Sequence, residues 1–222
     1  MRSLKIKVLY QDRAILVCLK PVGVASEENG LPALLHEQCG GEFHCVHRLD
    51  KGVGGVMVYA RSGRSAAALS AMVRERKLEK IYLAVAQGRP GDESGELRDY
   101  LYHDAAKNKS YVVKSPRRGV REASLQYRLL SEKETPDGRL TLLRIRLETG
   151  RSHQIRVQFG SRGLPLAYDG RYGSSLRGAP IALWAAELSF VHPETGEKLH
   201  FSAPPPETLP WTQFDISNFP DR

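Results

Sequence analysis

Short apolar runs rich in β-branched residues, Leu4 to Tyr10, Ala14 to Leu19, Gly55 to Ala60 and Lys80 to Ala86, recur along the chain with turn-forming residues between them. Runs of this length between turn signals read as strands, so the pattern predicts a sheet-rich protein. One segment breaks it. Ser62 to Arg76, SGRSAAALSAMVRER, opens on a capping serine, continues in alanine-rich helix formers and ends on basic residues, which predicts a helix. Glu122 to Ser131 and Arg139 to Glu148 read as two strands joined through Thr135-Pro136-Asp137-Gly138, a hairpin with a longer loop. Gly150 to Gly163 alternates like a strand at Ile155, Val157 and Phe159 while its ends carry helix-cap signals, and helix is preferred. Ile181 to His192 and Lys198 to Ser202 flank Pro193 to Glu197 as another hairpin, and Pro204-Pro205-Pro206 opens a tail, 205–222, with little regular structure.

No internal repeat and no low-complexity linker divides the 222 residues, so a single α+β domain covering 1–222 is expected. Cys18, Cys39 and Cys45 are too few and of odd number for a disulfide framework, and MRSLKIKVLYQD lacks the apolar stretch of a signal peptide or membrane span. A reduced, cytoplasmic protein without a membrane partner is expected. The formal charge of +8, from 33 Lys and Arg against 25 Asp and Glu, favours a polyanionic partner.

The segment His47-Arg48-Leu49-Asp50-Lys51-Gly52-Val53-Gly54-Gly55-Val56-Met57 puts one acid and three basic side chains ahead of a glycine cluster. A dinucleotide-binding loop would need G-x-G-x-x-G after a strand and before a helix, whereas this run lacks the third glycine and precedes a strand. There is no G-x-x-x-x-G-K-[ST] for nucleotide hydrolysis and no G-x-S-x-G elbow for a serine nucleophile. Cys39, His44, Cys45 and His47 lie close together but form no C-x-x-C pair, so no metal is expected there.

His47 to Arg61, HRLDKGVGGVMVYAR, resembles the H-R-L-D motif of the RluA-type pseudouridine synthases. Four further segments are similar to that family in the same order: Lys20-Pro21-Val22-Gly23 to K-P-x-G; Lys80-Ile81-Tyr82-Leu83-Ala84-Val85 to K-x-Y-x-A-x-V; Thr149 to Val157, TGRSHQIRV, to T-G-R-T-H-Q-I-R-V; and His192-Pro193 through Pro206 to the closing H-P-x-T-G-E and A-P-x-P pattern. The chain departs from the family at Val53-Gly54, where Thr-Ser is usual, at Trp184, where histidine is common, and at Tyr168, where a glycine precedes Asp169. No room precedes Tyr10 for the S4 RNA-binding domain many relatives carry.

The resemblance implies a mixed, mostly antiparallel sheet with flanking helices and a central RNA-binding cleft. It also implies the cofactor-free isomerisation of uridine to pseudouridine in ribosomal or transfer RNA by a monomer acting on a stem-loop. Asp50 would be the catalytic carboxylate, as nucleophile at C1′ or C6 or as base at C2′. A buried carboxylate with no cation beside it can have its pKa raised by ~3 to 5 units, and the family pairs its catalytic acid with the arginine at Arg156. Such a pair gives roughly 4 kcal/mol at ~4 Å and an effective dielectric of ~20, comparable to the burial effect. Tyr82 would stack on the flipped base, returning ~1 to 3 kcal/mol of the unstacking cost. Arg48 would fill the gap left by that base, with His47, Arg151 and His153 as supporting RNA contacts. The glycines after Asp50 would turn the backbone tightly and let the nucleotide approach. Two other readings compete: an RNA-binding module that keeps the fold without catalysis, and a metal-dependent hydrolase built on Cys39 to His47.

Overall fold

The computed structural model describes residues 4–27 and 29–216. In chain order the elements are β1 (Val8–Gln11), β2 (Ile15–Lys20), α1 (Leu31–Cys39), β3 (His44–Cys45), β4 (Gly54–Ala60), α2 (Gly63–Arg74), β5 (Glu79–Gln87), β6 (Ser94–Asp104), β7 (Lys109–Val113), β8 (Val120–Thr135), β9 (Gly138–Leu147), α3 (Gln154–Gly160), β10 (Leu183–Val191) and β11 (Lys198–Ser202). The class is α+β, and packing divides the chain into two compact units: residues to Lys80 with Ala185–Ala203, and Ile81–Trp184 with the residues from Pro204.

In the first unit the strand order is β1-β2-β4-β10, with β3 pairing β4 and β11 pairing β10. The β1-β2, β2-β4, β3-β4 and β10-β11 pairs are antiparallel. Ile15, Val17, Val56, Val58, Leu188 and Phe190 build its core together with Leu69 of α2. Helix α2 starts where the sequence predicts, the Ser62 hydroxyl accepting from the Ser65 N–H at 3.2 Å. The His192-Pro193-Glu194-Thr195-Gly196-Glu197 turn owes its form to one buried imidazole. Nδ1 of His192 accepts from the N–H groups of Glu194 and Thr195 at 3.3 and 3.0 Å, so Nε2 carries the proton and meets Asp12 Oδ2 at 2.8 Å.

In the second unit the order is β5-β9-β8-β6-β7. The β8-β9 hairpin is tighter than the longer loop expected, since Thr135 pairs with Gly138 across Pro136-Asp137 and the Thr135 hydroxyl donates to the Gly138 carbonyl at 2.7 Å. Helix α3 confirms helix over strand for the Gly150 to Gly163 stretch, because Gln154 to Phe159 are all buried and not on alternate sides. It packs by Val157 against Leu101 of β6 and Ala123 of β8.

Helix α1 and strands β3, β6 and β7 were not read from the sequence. Helix α1 has a weak pattern, burying only Leu31 and Leu35. In β6 the inward position between Leu97 and Leu101 is held by Asp99, whose carboxylate accepts from Gln158 Nε2 at 2.7 Å and from Arg162 Nη1 at 3.0 Å. A charge at an inward position hides the alternation that marks a strand.

Candidate active site

In the first unit Asp50 sits half-buried on the turn between β3 and β4, its carbonyl accepting from the Val53 N–H at 2.9 Å. The backbone is fastened on both sides of it. Upstream, the buried Ser26 hydroxyl donates to the Leu49 carbonyl at 2.8 Å and accepts from the Leu49 N–H at 3.1 Å. The Ser26 carbonyl in turn accepts from the hydroxyl of Tyr59, a fully buried residue of β4, at 2.8 Å. Downstream, the Lys51 carbonyl accepts from the Gly23 N–H at 2.8 Å and from Lys20 Nζ at 3.4 Å.

Lys20 explains the Lys-Pro-Val-Gly segment. Its side chain is wholly buried at the end of β2, and Nζ donates to the carbonyls of Pro21 and Val24 at 3.0 and 2.6 Å. Burial pulls this ammonium down to about 8, and the Asp50 carboxylate nearby acts in the opposite direction. The lysine therefore ties the 21–24 turn to the turn bearing Asp50 and places a cation close to its carboxylate. A cavity of about 630 Å³ opens beside Lys51, lined by Gly23, Glu27, Asn29 and Leu34 among others. Arg48 is exposed and pairs with Glu27, one of the lining residues, Nη1 to Oε2, at 3.1 Å.

Two expectations are corrected here. His47 is not an RNA-facing group: it is 7 % exposed, and its Nε2 accepts from the Val58 N–H of β4 at 3.2 Å. Burial, with help from the Lys80 charge, lowers its pKa to about 3 and keeps it neutral. Nor does the glycine run serve the approach of a nucleotide at Gly55. That residue has φ of +129°, and an added Cβ would lie 2.2 Å from the Ala185 carbonyl oxygen, so glycine is required for β4 to pass β10.

In the second unit Tyr82 lies on β5, 5 % exposed. Arg156 is equally buried on α3, and a partner the sequence reading did not name grips it: Nε and Nη2 donate to the two Asp169 carboxylate oxygens at 2.7 and 2.9 Å. The Arg156 guanidinium also lies over the Tyr172 ring, 5.1 Å from its centroid. Asp169 and Tyr172 belong to Asp-Gly-Arg-Tyr-Gly, a charged and aromatic pair three apart in a turn-rich stretch that was the available signal. Tyr168, where the family has glycine, takes the left-handed backbone at φ 66° that glycine adopts without strain.

The motif around Arg156 divides into structural and exposed members. Thr149 donates to Gln154 Oε1 at 2.7 Å while Gln154 Nε2 donates to the Ser124 carbonyl at 3.0 Å, a buried clamp that fixes the start of α3. His153, at φ 55°, has Nδ1 2.8 Å from the Tyr172 hydroxyl. Arg151 is exposed and donates through Nε to the Glu122 carbonyl at 2.9 Å.

The sequence pattern of the RNA pseudouridylate synthase family matches residues 14–161. The chain belongs to that family. Among curated relatives it is 32 % identical to an RNA pseudouridine synthase of Aquifex aeolicus, over 93 % of this chain and 72 % of the relative. It is 29 % identical to ribosomal large subunit pseudouridine synthase D of Zymomonas mobilis, over 94 % and 72 %. The structure of human RNA pseudouridylate synthase domain containing 1 superposes with a TM-score of 0.79 at 21 % identity, covering 92 % of this chain and 85 % of that one, a likeness of fold. The RluA-type resemblance is thereby established, and the reaction of this pseudouridine synthase is the isomerisation of uridine in RNA. Among the described residues no helix is long and apolar enough to cross a membrane, and no group of three or more His, Cys, Asp or Glu is arranged to hold a metal ion.

Proposed function

We propose that Asp50 is the carboxylate that starts the isomerisation, that Tyr82 stacks on the flipped base, and that Arg156 supplies charge support to the same reaction. The observation that carries the assignment is the double fastening of the Asp50 turn, by Ser26 on Leu49 and by Gly23 and Lys20 on Lys51. A catalytic carboxylate must meet its target within a few tenths of an ångström, and backbone ties on both neighbours supply that positioning. The bidentate clamp of Asp169 serves Arg156 in the same way.

Arg48 is the side chain assigned to replace the flipped base in the RNA stack. It is exposed, and its pairing with Glu27 is an exposed ion pair of ~0 to 1 kcal/mol, easily exchanged for a nucleotide. Arg151 and His153 are assigned to the RNA around the target. The substrate is a uridine in a loop of structured RNA, with ribosomal RNA favoured over transfer RNA by the similarity to ribosomal large subunit pseudouridine synthases C and D. The protein acts as a monomer in the cytoplasm, and no cofactor is required because the isomerisation is redox-neutral.

Asp50→Asn is the test. It preserves volume and removes the charge, so tritium release from C5-labelled uridine in RNA is expected to fall by at least about a hundredfold with the thermal melting curve unchanged. Release at the unsubstituted rate would end the assignment of Asp50, and absence of release by the unsubstituted protein on ribosomal and transfer RNA alike would favour the non-catalytic RNA-binding reading.

A further inference from the structure

The edge of the second unit carries an aromatic and basic surface that none of the catalytic assignments uses. Register places its members. Tyr102 of β6 stands opposite Tyr111 of β7, and Tyr100 opposite Val113, so the three tyrosines share one face of the sheet. The other face is occupied by α3, through Val157 on Leu101 and Gln158 on Asp99. Tyr100 is 38 % exposed, unusual for so large a ring, and β7 ends the strand order of its unit.

Cations surround these rings. Lys109 Nζ lies 5.7 Å from the Tyr111 ring centroid, and the Arg117 guanidinium lies 5.7 Å from that of Tyr102. From Lys109 to Arg121, KSYVVKSPRRGVR, there are five basic residues and no acid, and the connection 114–119 is exposed throughout. Carboxylates stand on the same face as well: Asp104, opposite Lys109 and 3.9 Å from Lys107 Nζ, Glu122, opposite Tyr100, and Glu96, which is paired with Arg98 of the same strand at 2.6 Å. The balance remains positive.

We propose that this face binds a single-stranded stretch of the substrate RNA, with bases stacking on Tyr100 and on the Arg117–Tyr102 pair and phosphates meeting Lys109 and the 114–118 connection. Unstacked bases take aromatic rings and guanidinium planes as platforms with little regard to sequence, while the phosphates supply a salt-dependent attraction. The proposal rests on the chain acting on RNA and adds where the strand beyond the modified nucleotide is held. An acidic protein partner would meet the cations but has no use for three coplanar tyrosine positions.

The test uses the full chain and a labelled oligouridylate about 20 nucleotides long, alongside tritium release from C5-labelled ribosomal RNA. Tyr100→Ala and Arg117→Ala are each expected to raise the oligouridylate Kd about fivefold to tenfold, with Arg117→Ala also lowering the slope of log Kd against log salt by ~0.7. Lys133→Ala, an exposed charge on β8 of the same unit, is expected to leave the Kd unchanged. At saturating ribosomal RNA both platform variants keep the unsubstituted kcat while KM rises.

An unchanged oligouridylate Kd in Tyr100→Ala overturns the stacking platform, and an equal loss in Lys133→Ala overturns the site in favour of general charge. A variant that loses kcat at unchanged Kd also overturns it. If the unsubstituted protein releases no tritium while Tyr100→Ala still weakens binding, the platform stands and the catalytic assignment of Asp50 falls.

Discussion

At the residue scale, the fates of His47 and Lys20 show how burial converts a polar side chain into a structural part. His47 holds β4 only as a neutral acceptor, because protonating Nε2 would remove the lone pair that takes the Val58 N–H. Its pKa of about 3 in the folded protein lies below the ordinary 6.5, so the unfolded chain binds the extra proton between these values and stability falls as pH drops through that window. Between pH 7 and pH 5 this single group should cost roughly 2 kcal/mol, at ~1.4 kcal/mol per unit below 6.5. Urea denaturation at the two pH values checks this: His47→Gln should lose that part of the pH dependence, and an identical drop in both proteins would remove His47 as the cause. Asp169 offers a second test. Asp169→Asn takes the bidentate carboxylate away from the buried Arg156 guanidinium and is expected to lower stability by ~3 kcal/mol, measured by the same denaturation. A loss under about 1 kcal/mol would mean that other partners of Arg156 suffice.

At the scale of elements, the strand that follows the turn bearing Asp50 is constrained by its neighbours. Gly55 lies against the Ala185 backbone where β4 passes β10, so Gly55→Ala must push the two strands apart or twist a left-handed residue. The expected loss is ~3 kcal/mol or more, seen as a fall in Tm or a failure to accumulate folded protein. A Tm within a degree or two of the unsubstituted protein would show that the approach is not tight. The cap of α2 is a milder case. Ser62→Ala removes the acceptor of the Ser65 N–H and should cost ~1 kcal/mol without changing turnover.

At the scale of the whole molecule, the formal charge of +8 and the basic run of Lys109 to Arg121 bear on how much RNA the chain needs to recognise its target. Recognition by the protein's own surface predicts that a short stem-loop carrying the target uridine is modified with a kcat/KM within about tenfold of the intact RNA. Affinity should fall by ~0.7 to 0.9 log units per tenfold rise in salt for each phosphate contacted. Comparison of the two RNAs at fixed salt decides the matter. A loss of about a hundredfold or more on the stem-loop, ~2.7 kcal/mol of transition-state binding, would assign recognition to remote RNA structure.

Family and reaction were legible in the order of five short motifs, because Asp50, Tyr82 and Arg156 are named by their sequence neighbours. So were α2 and most strands, whose capping serine and apolar runs are local signals. The jobs of Lys20, His47 and Gly55 were not legible, since each is set by a contact far along the chain: Lys20 with the Lys51 carbonyl, His47 with the Val58 N–H, and Gly55 with Ala185. Asp99 hid β6 for the same reason, its inward charge being acceptable only because Gln158 and Arg162 reach it. The Asp169 clamp on Arg156 was likewise settled only by folding, which brings both carboxylate oxygens to one edge of the guanidinium. Sequence carries what neighbouring residues and helix or strand periods can encode, whereas burial and hydrogen-bond satisfaction depend on which distant groups the packed chain brings within about 3 Å.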